Sequence, residues 1–244
     1  MEAVTLADLP ALVREAVARQ AGPVLAVTSI AAGHNSPLSV RLETYVGPLF
    51  VKGLPVTSPS RVATQCREYE ISRHLHGLGP RARWQIRAGG WHLVAFDYLN
   101  DARHADYRPE SGDLASIANL LQQVARLPIP EGVDLRRAEQ RLFAYGTEDQ
   151  LRHVTGNTLL HTDLNPHNVL LTEDGTAHLV DWGMGHPGRP LARCRRVGHL
   201  ARRIRQYPQR RPRLGRAGAR IPGRRPRGTP RLRRHGYCPV GGHR

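Results

Sequence analysis

Residues 161–168, His-Thr-Asp-Leu-Asn-Pro-His-Asn, carry two histidines, an aspartate and two asparagines, with apolar stretches on either side. Polar groups at that density do not serve a core; they serve a polar turn or a loop that does chemistry. Asp163 and Asn168 stand five residues apart, and a second aspartate, Asp181, follows in Leu-Val-Asp-Trp-Gly at the end of the next strand pair. This set suits phosphoryl transfer. That reaction needs a carboxylate to take the proton of an acceptor hydroxyl, and oxygen ligands to hold Mg²⁺ on nucleotide phosphates. Asp163, on a loop after a strand, is placed for the first task. Asn168 and Asp181, at the two ends of one hairpin, are placed for the second. A zinc site built from His161, Asp163 and His167 is the chemical rival, but no cysteine or further histidine lies nearby in sequence to complete it. His161 is instead expected to brace the loop through backbone hydrogen bonds.

Phosphates also need a cation. Lys52, in Pro-Leu-Phe-Val-Lys-Gly, is the only lysine in the chain; the other 35 basic residues are arginine. A lone lysine at a strand end is ordinarily exposed. Its uniqueness points instead to a position that requires a compact, reaching ammonium. The helix that follows offers Glu68 and Glu70 as partners. Glu68 is preferred, because Glu70 flanks the face that bears Arg67, Arg73 and His74. Between the first two strands, the turn Ala-Ala-Gly-His-Asn-Ser-Pro is suited to cover phosphates with backbone N–H groups around Gly33, Asn35 and Ser36. Trp84, Trp91 and Trp182 are expected to pack within lobes.

The elements that must hold these residues are legible as patterns. Apolar spacing predicts a helix over 7–20, capped by Asp8. Alternation of β-branched residues predicts strands at about 24–30, 38–45 and 49–53. A helix is expected from a Ser60 cap to Gly77 or Gly79. A hairpin turns at the Gly89-Gly90 pair, helical spacing returns over 110–127 and 134–145, and 101–109 reads as a polar loop. Residues 158–181 read as strand, loop, strand, turn and strand.

Taken in order, Leu-Phe-Val-Lys-Gly, Arg-Glu-Tyr-Glu, His-Thr-Asp-Leu-Asn-Pro-His-Asn and Val-Asp-Trp-Gly resemble the aminoglycoside phosphotransferase family of the protein-kinase-like fold, over about residues 24 to 185. The resemblance implies a bilobal α+β architecture, with an antiparallel-sheet N-terminal lobe and a mainly helical C-terminal lobe. Residues 1–100 would form the nucleotide lobe and hinge, and 101–185 part of the catalytic lobe. It implies Asp163 as catalytic base, Asn168 and Asp181 as Mg²⁺ ligands, and Lys52 on the ATP phosphates with Glu68. Val-Ala-Phe-Asp-Tyr-Leu, with Phe96 and Tyr98, resembles the hinge whose backbone holds adenine. The implied partners are ATP and a hydroxylated small molecule. Aminoglycosides, other antibiotics, sugars, choline-like alcohols and amino alcohols all suit the same loop.

Bulk properties narrow the class. The chain has 244 residues, 40% of them hydrophobic, and a mean hydropathy of −0.45. No apolar run approaches the roughly 20 residues of a membrane helix, and the acidic N-terminal start is unlike a secretory signal. Cys66, Cys194 and Cys238 are too few and scattered for a disulfide framework. A cytoplasmic protein with no membrane partner is expected. The net charge of +16 is unevenly placed: residues 1–181 hold 17 Lys and Arg against all 20 acids, whereas 182–244 hold 19 arginines and no acid. The Arg/Pro/Gly-rich tract 186–244 is expected to be disordered, since it has too little apolar surface to offset chain entropy. One account makes it an arm for nonspecific phosphate contacts with nucleic acid, although it holds only Tyr207 and Tyr237 as aromatics. The other is a frameshift near Gly185 in a GC-rich gene. The catalytic lobe would then be incomplete and the chain a nucleotide-binding pseudoenzyme. The frameshift account predicts that one of the other two reading frames beyond codon 185 encodes amphipathic helices of normal acid content; if neither does, it fails.

Overall fold

The computed structural model describes residues 3–30 and 36–189. Gly33 and Asn35 of the expected phosphate turn, and the tract 190–244 with everything expected of it, lie outside the described residues.

Five antiparallel strands form the N-terminal sheet: β1 (Val24–Ser29), β2 (Leu38–Thr44), β3 (Leu49–Pro55), β4 (Ala82–Ala88) and β5 (Trp91–Asp97), in the order β1-β2-β3-β5-β4. The period of two sorts each strand between two faces. Leu49 and Val51 of β3 join Leu38, Val40, Leu42, Leu93 and Ala95 under helix α1 (Ala11–Ala21), which contributes Val13 and Val17. Phe50 and Leu54 turn to the other face, where helix α2 (Pro59–Ser72) lies: Leu54 packs with Val62 and Cys66, and Phe50 with Phe96 and Tyr69. Lys52, between them on β3, shares that second face by the same alternation. Its Cα neighbours across the sheet are Ser39 and Val94. At the β4–β5 hairpin Gly89 and Gly90 have φ of 52° and 80°, the paired positive angles that a two-residue turn of this twist demands.

Two helix boundaries differ from expectation. Helix α1 begins at Ala11 with Pro10 as its cap residue, and Asp8 instead closes a turn by accepting from Thr5 N (2.8 Å). Helix α2 opens on Pro59 at its first position, where a missing N–H costs nothing. It ends at Ser72, well before Gly79, and the chain then reverses through left-handed His76 and Gly77.

The second half holds β6 (Arg103–His104), α3 (Asp113–Val124), α4 (Ala138–Leu142), α5 (Glu148–Arg152), β7 (Thr158–His161), β8 (Val169–Leu171), β9 (Ala177–Leu179) and β10 (Gly185–Gly188). Single 3₁₀ turns lie at Phe143–Tyr145, Pro166–Asn168 and Trp182–Met184. The sheets here are small, β6-β8-β9 and β10-β7. Ile117, Leu120 and Val124 on one stripe of α3 bury against Leu159, Val169, Leu171, Leu179 and Trp182. Ile71 and Leu75 enter the same core from the end of α2, so this helix serves both lobes.

Three features were not foreseen. The loop 101–109 contains strand β6, and Arg103 there grips Asp113 with two bonds of 2.6 Å. The Arg103 hydrogen bonds hold the Asp113 carboxyl down to about 2. Helix α5 had no expected counterpart. Strand β10 runs three residues past the expected tail boundary at Gly185, because residues 185–188 pair in register with β7 and are buried. Among the described residues no helix is long and apolar enough to cross a membrane.

On the α2 side of β5, buried His92 lies with Nε2 3.5 Å from Cys66 Sγ. Burial, and then the nearby Arg87 charge, hold its imidazole down to about 4. The folded state therefore refuses a proton that the unfolded chain accepts. Its contribution is full above about pH 6.5 and lost as the pH falls towards 4. His92→Gln is expected to reduce the loss of unfolding free energy between pH 7 and 4.5 by on the order of 2 kcal/mol relative to wild type. Urea denaturation at the two pH values measures this, and identical losses contradict it.

Candidate active site

Lys52 Nζ lies 2.6 Å from Glu68 Oε2 and 3.2 Å from Asp181 Oδ1. The lysine and Glu68 side chains are 14% and 7% exposed, which makes this a buried pair whose members need one another. Glu70 instead meets Arg73 at 3.3 Å on the helix surface, so the partner of the lysine is Glu68. Burial works against the ammonium, but the two carboxylates outweigh it and keep Lys52 above its ordinary value. One cation between two carboxylates leaves a surplus negative charge, and Glu68 bears it. Burial pushes its carboxyl up to about 7 against the pull of Lys52, with the Asp181 charge adding to the rise. The sign is opposite to that of His92: the Glu68 contribution is full below about 4.5 and is lost as the pH rises through 7. Only a comparison of variants therefore isolates either group.

Asp181 sits at φ 63°, ψ 51°, a left-handed backbone that a non-glycine residue adopts at a cost of about 1 kcal/mol or more. Its neighbours hold it there. Val180 N donates to the Asn168 carbonyl (2.9 Å), and His161 Nε2 donates to the carbonyls of Val180 (2.9 Å) and Asp181 (3.2 Å). Burial holds the His161 imidazole below its ordinary value, so it stays neutral with Nε2 as the donor. Its ring meets Trp182 edge-on at 4.9 Å, and the Trp182 indole donates to the Leu179 carbonyl (2.9 Å). Gly183 presses on α2 so closely that a Cβ there would fall 2.6 Å from Thr64 Cγ2.

On the loop between β7 and β8, Asn168 Nδ2 donates to the Asp163 backbone oxygen (2.8 Å) and to its Oδ2 (3.2 Å). The amide oxygen of Asn168 accepts no hydrogen bond from the described residues, which leaves a hard donor atom on the loop. Asp163 itself is exposed. The zinc alternative is not assembled: His161 gives its Nε2 to carbonyls, while His167 packs edge-on against His104 at 5.2 Å. Among the described residues no cluster of three or more His, Cys, Asp or Glu is arranged for a metal ion.

The residues expected at the hinge lie at the end of β5 and just after it. Phe96 is buried, with the Lys52 ammonium 6.0 Å from its ring centroid. The Arg41 guanidinium lies 4.5 Å over the Tyr98 ring. The N–H groups of Asp97 and Tyr98 already donate to the carbonyls of Arg81 and Pro48, so these two amides are spoken for within the chain. Ser36 is half-buried just ahead of β2.

Two supporting residues were not anticipated. Gln65, one helical turn before Glu68, is buried and donates to the Lys52 carbonyl (3.0 Å), tying α2 to β3. Its i, i+3 relation to Glu68 was the available signal. Arg67 donates to the Gly183 carbonyl (3.1 Å) and fastens α2 to the Asp181 segment. It had been seen only as part of a charged helix face.

Solved structures that match this architecture include choline kinase LicA from Streptococcus pneumoniae, at 18% identity and a TM-score of 0.50, over 73% of this chain and 70% of that one. LicA in complex with AMP matches with the same values. The chain has this kinase-like fold. No family model and no curated protein sequence matches it.

Lys52→Met is expected to cost about 3 kcal/mol of stability, because it leaves the Glu68 carboxylate buried without its cation. Adding Glu68→Leu should recover much of the loss, whereas Glu70→Ala should cost under about 1 kcal/mol. Denaturation of wild type, Lys52→Met, Glu68→Leu and the double variant as a double-mutant cycle measures the coupling, with Glu70→Ala as the surface control; equal costs for Lys52→Met and Glu70→Ala contradict it.

Proposed function

We propose that the chain is an ATP- and Mg²⁺-dependent phosphotransferase, akin to the aminoglycoside phosphotransferases, that moves the γ-phosphoryl group to a hydroxyl of a small molecule. The observation that carries this is the triad Lys52–Glu68–Asp181, which joins β3, α2 and the segment after β9 around one buried ammonium. A structural core gains little from a lysine held between two carboxylates. A phosphate site gains a fixed point charge beside an acidic ligand.

Residues 1–100 serve as the nucleotide lobe, and the catalytic lobe runs from 101 through β10. Lys52, oriented by Glu68, holds the phosphates. Asp181 and the Asn168 amide offer hard oxygen donors that fit Mg²⁺, and the surplus negative charge around Lys52 favours a divalent cation. When bound, that ion neutralises charge on the phosphoryl group in transfer. Asp163, held by Asn168 through both its backbone and its carboxylate, takes the proton of the acceptor hydroxyl. His161 keeps the loop against the Asp181 segment without taking part in proton transfer, since its Nε2–H is committed to backbone carbonyls. The match to a kinase solved with AMP supports nucleotide as the bound co-substrate, and dependence on ATP suits the cytoplasm. Nucleic acid and membrane have no part in the reaction.

Asp163→Asn is expected to lower turnover by about 10²- to 10⁴-fold while leaving ATP affinity nearly unchanged. Asp181→Asn should weaken nucleotide binding more in the presence of Mg²⁺ than in its absence. ADP release against a panel of hydroxylated acceptors, with calorimetric ATP titration, measures both effects. Undiminished turnover in Asp163→Asn overturns the assignment.

A further inference from the structure

Thr162 stands between the bracing His161 and the proposed base Asp163, and its hydroxyl is the meeting point of a network with no role so far. Oγ1 donates to the Met184 carbonyl (2.9 Å) and accepts from Arg141 Nη1 (2.6 Å). Arg141 belongs to α4, on a part of the lobe that does not touch Lys52, and its Nη1 also lies 2.9 Å from His186 Nε2. One Nη1 carries two hydrogens, one for each acceptor. His186 is buried on β10, and its Nδ1 donates to the Arg136 carbonyl, which leaves Nε2 as the acceptor. That tautomer exists only in the neutral ring. Burial, and then the charges of Arg141, Arg67 and Arg136, hold the imidazole down to about 4, so the acceptor persists at neutral pH.

Asp163 is exposed, and among the described residues its carboxylate hydrogen-bonds only with Asn168, on the C-terminal side of the loop. On the N-terminal side the first polar anchor is the Thr162 hydroxyl. It ties the loop to Met184, three residues beyond Asp181, and so sets the spacing between the proposed base and the proposed metal ligand.

We propose that Arg141, seated by His186, is a positioning residue: through the Thr162 hydroxyl it holds the Asp163 loop in register with the Asp181 segment. The consequence for turnover rests on the phosphotransferase assignment, because misplacing a base by about 1 Å costs rate on the order of 10²-fold. The consequence for loop order does not.

The test uses the full chain and the variants Arg141→Ala, Thr162→Val and Thr162→Ser. Backbone hydrogen exchange is followed over residues 161–165, with β3 and β5 as internal reference, together with MgADP affinity, kcat and the KM for ATP. Arg141→Ala and Thr162→Val are expected to speed exchange in the loop by about tenfold or more and leave β3, β5 and MgADP affinity unchanged. They should lower kcat at constant KM for ATP, and Thr162→Ser, which keeps the hydroxyl, should restore both loop exchange and kcat. Loop exchange equal to wild type in Arg141→Ala and Thr162→Val overturns the inference, as does a Thr162→Ser variant as impaired as Thr162→Val. Wild-type protein that binds no MgADP would overturn the phosphotransferase assignment alone, and the exchange measurement still decides the positioning role.

Discussion

A buried ammonium between two carboxylates sets the terms for the rest of the molecule. Lys52 has left water, and its charge is tolerable only if Glu68 and Asp181 arrive within hydrogen-bond reach. Those groups come from three segments separated by up to 129 residues. The pairing therefore requires α2 to lie on one face of the sheet at a fixed height, and the segment after β9 to cross beneath it. Leu54, Val62 and Cys66 supply the apolar contact that sets α2 down. Gln65 then fixes its height by bonding to the backbone of Lys52 itself, and Arg67 reaches from the same helix to Gly183. One helix thus joins the sheet to the second lobe, with its apolar end, Ile71, in the core of the latter.

The cost of that arrangement is concentrated at Asp181, whose backbone is left-handed. Around it the hydrogen bonds converge from several directions: His161 on two successive carbonyls, Val180 N on the Asn168 carbonyl, Trp182 on the Leu179 carbonyl. Trp182 is fully buried, and burial of an aromatic of that size stabilises by more than the strained dihedral costs. The strain is held by the packed core of the second lobe rather than by the triad. Order in the lobe and geometry at the lysine are for this reason one problem.

What could be read in the sequence, and what could not, divides along the reach of the forces involved. The strands carrying Lys52 and its neighbours were legible because β-branched alternation is local. Between Glu68 and Glu70 the sequence supported only a preference, because the charged residues beside Glu70 include Arg67, which turns inward to the Gly183 carbonyl. The loop 161–168 was legible because its polar density has no role in a core. By contrast, β6 is two residues long and exists only because β8 pairs with it, and β10 hides in a Gly/Pro-containing run that composition assigns to a tail. Helix α2 ends where the N–H groups of Arg73 and His74 turn to the Glu70 and Ile71 carbonyls three residues back, a tightening that apolar spacing does not mark. The bond from Arg141 to Thr162 spans 21 residues between unrelated elements and leaves no periodic trace. The end of β5 is an intermediate case: its strand was visible, but the engagement of the Asp97 and Tyr98 amides by Arg81 and Pro48 depends on neighbours across the fold.

The left-handed backbone at Asp181 also limits how this position can drift. Asparagine keeps the dihedral angles at little cost and loses the charge. Glycine relaxes the strain and removes the side chain altogether. Glutamate keeps the charge but lacks the short polar side chain that makes left-handed geometry tolerable. Each neutral path for the backbone is a loss for the electrostatics, and the reverse also holds. A lineage that keeps aspartate here is therefore retaining two properties at once that no other residue type combines. One that exchanges it for asparagine or glycine would ease the backbone while removing one of the two carboxylates that hold the Lys52 ammonium.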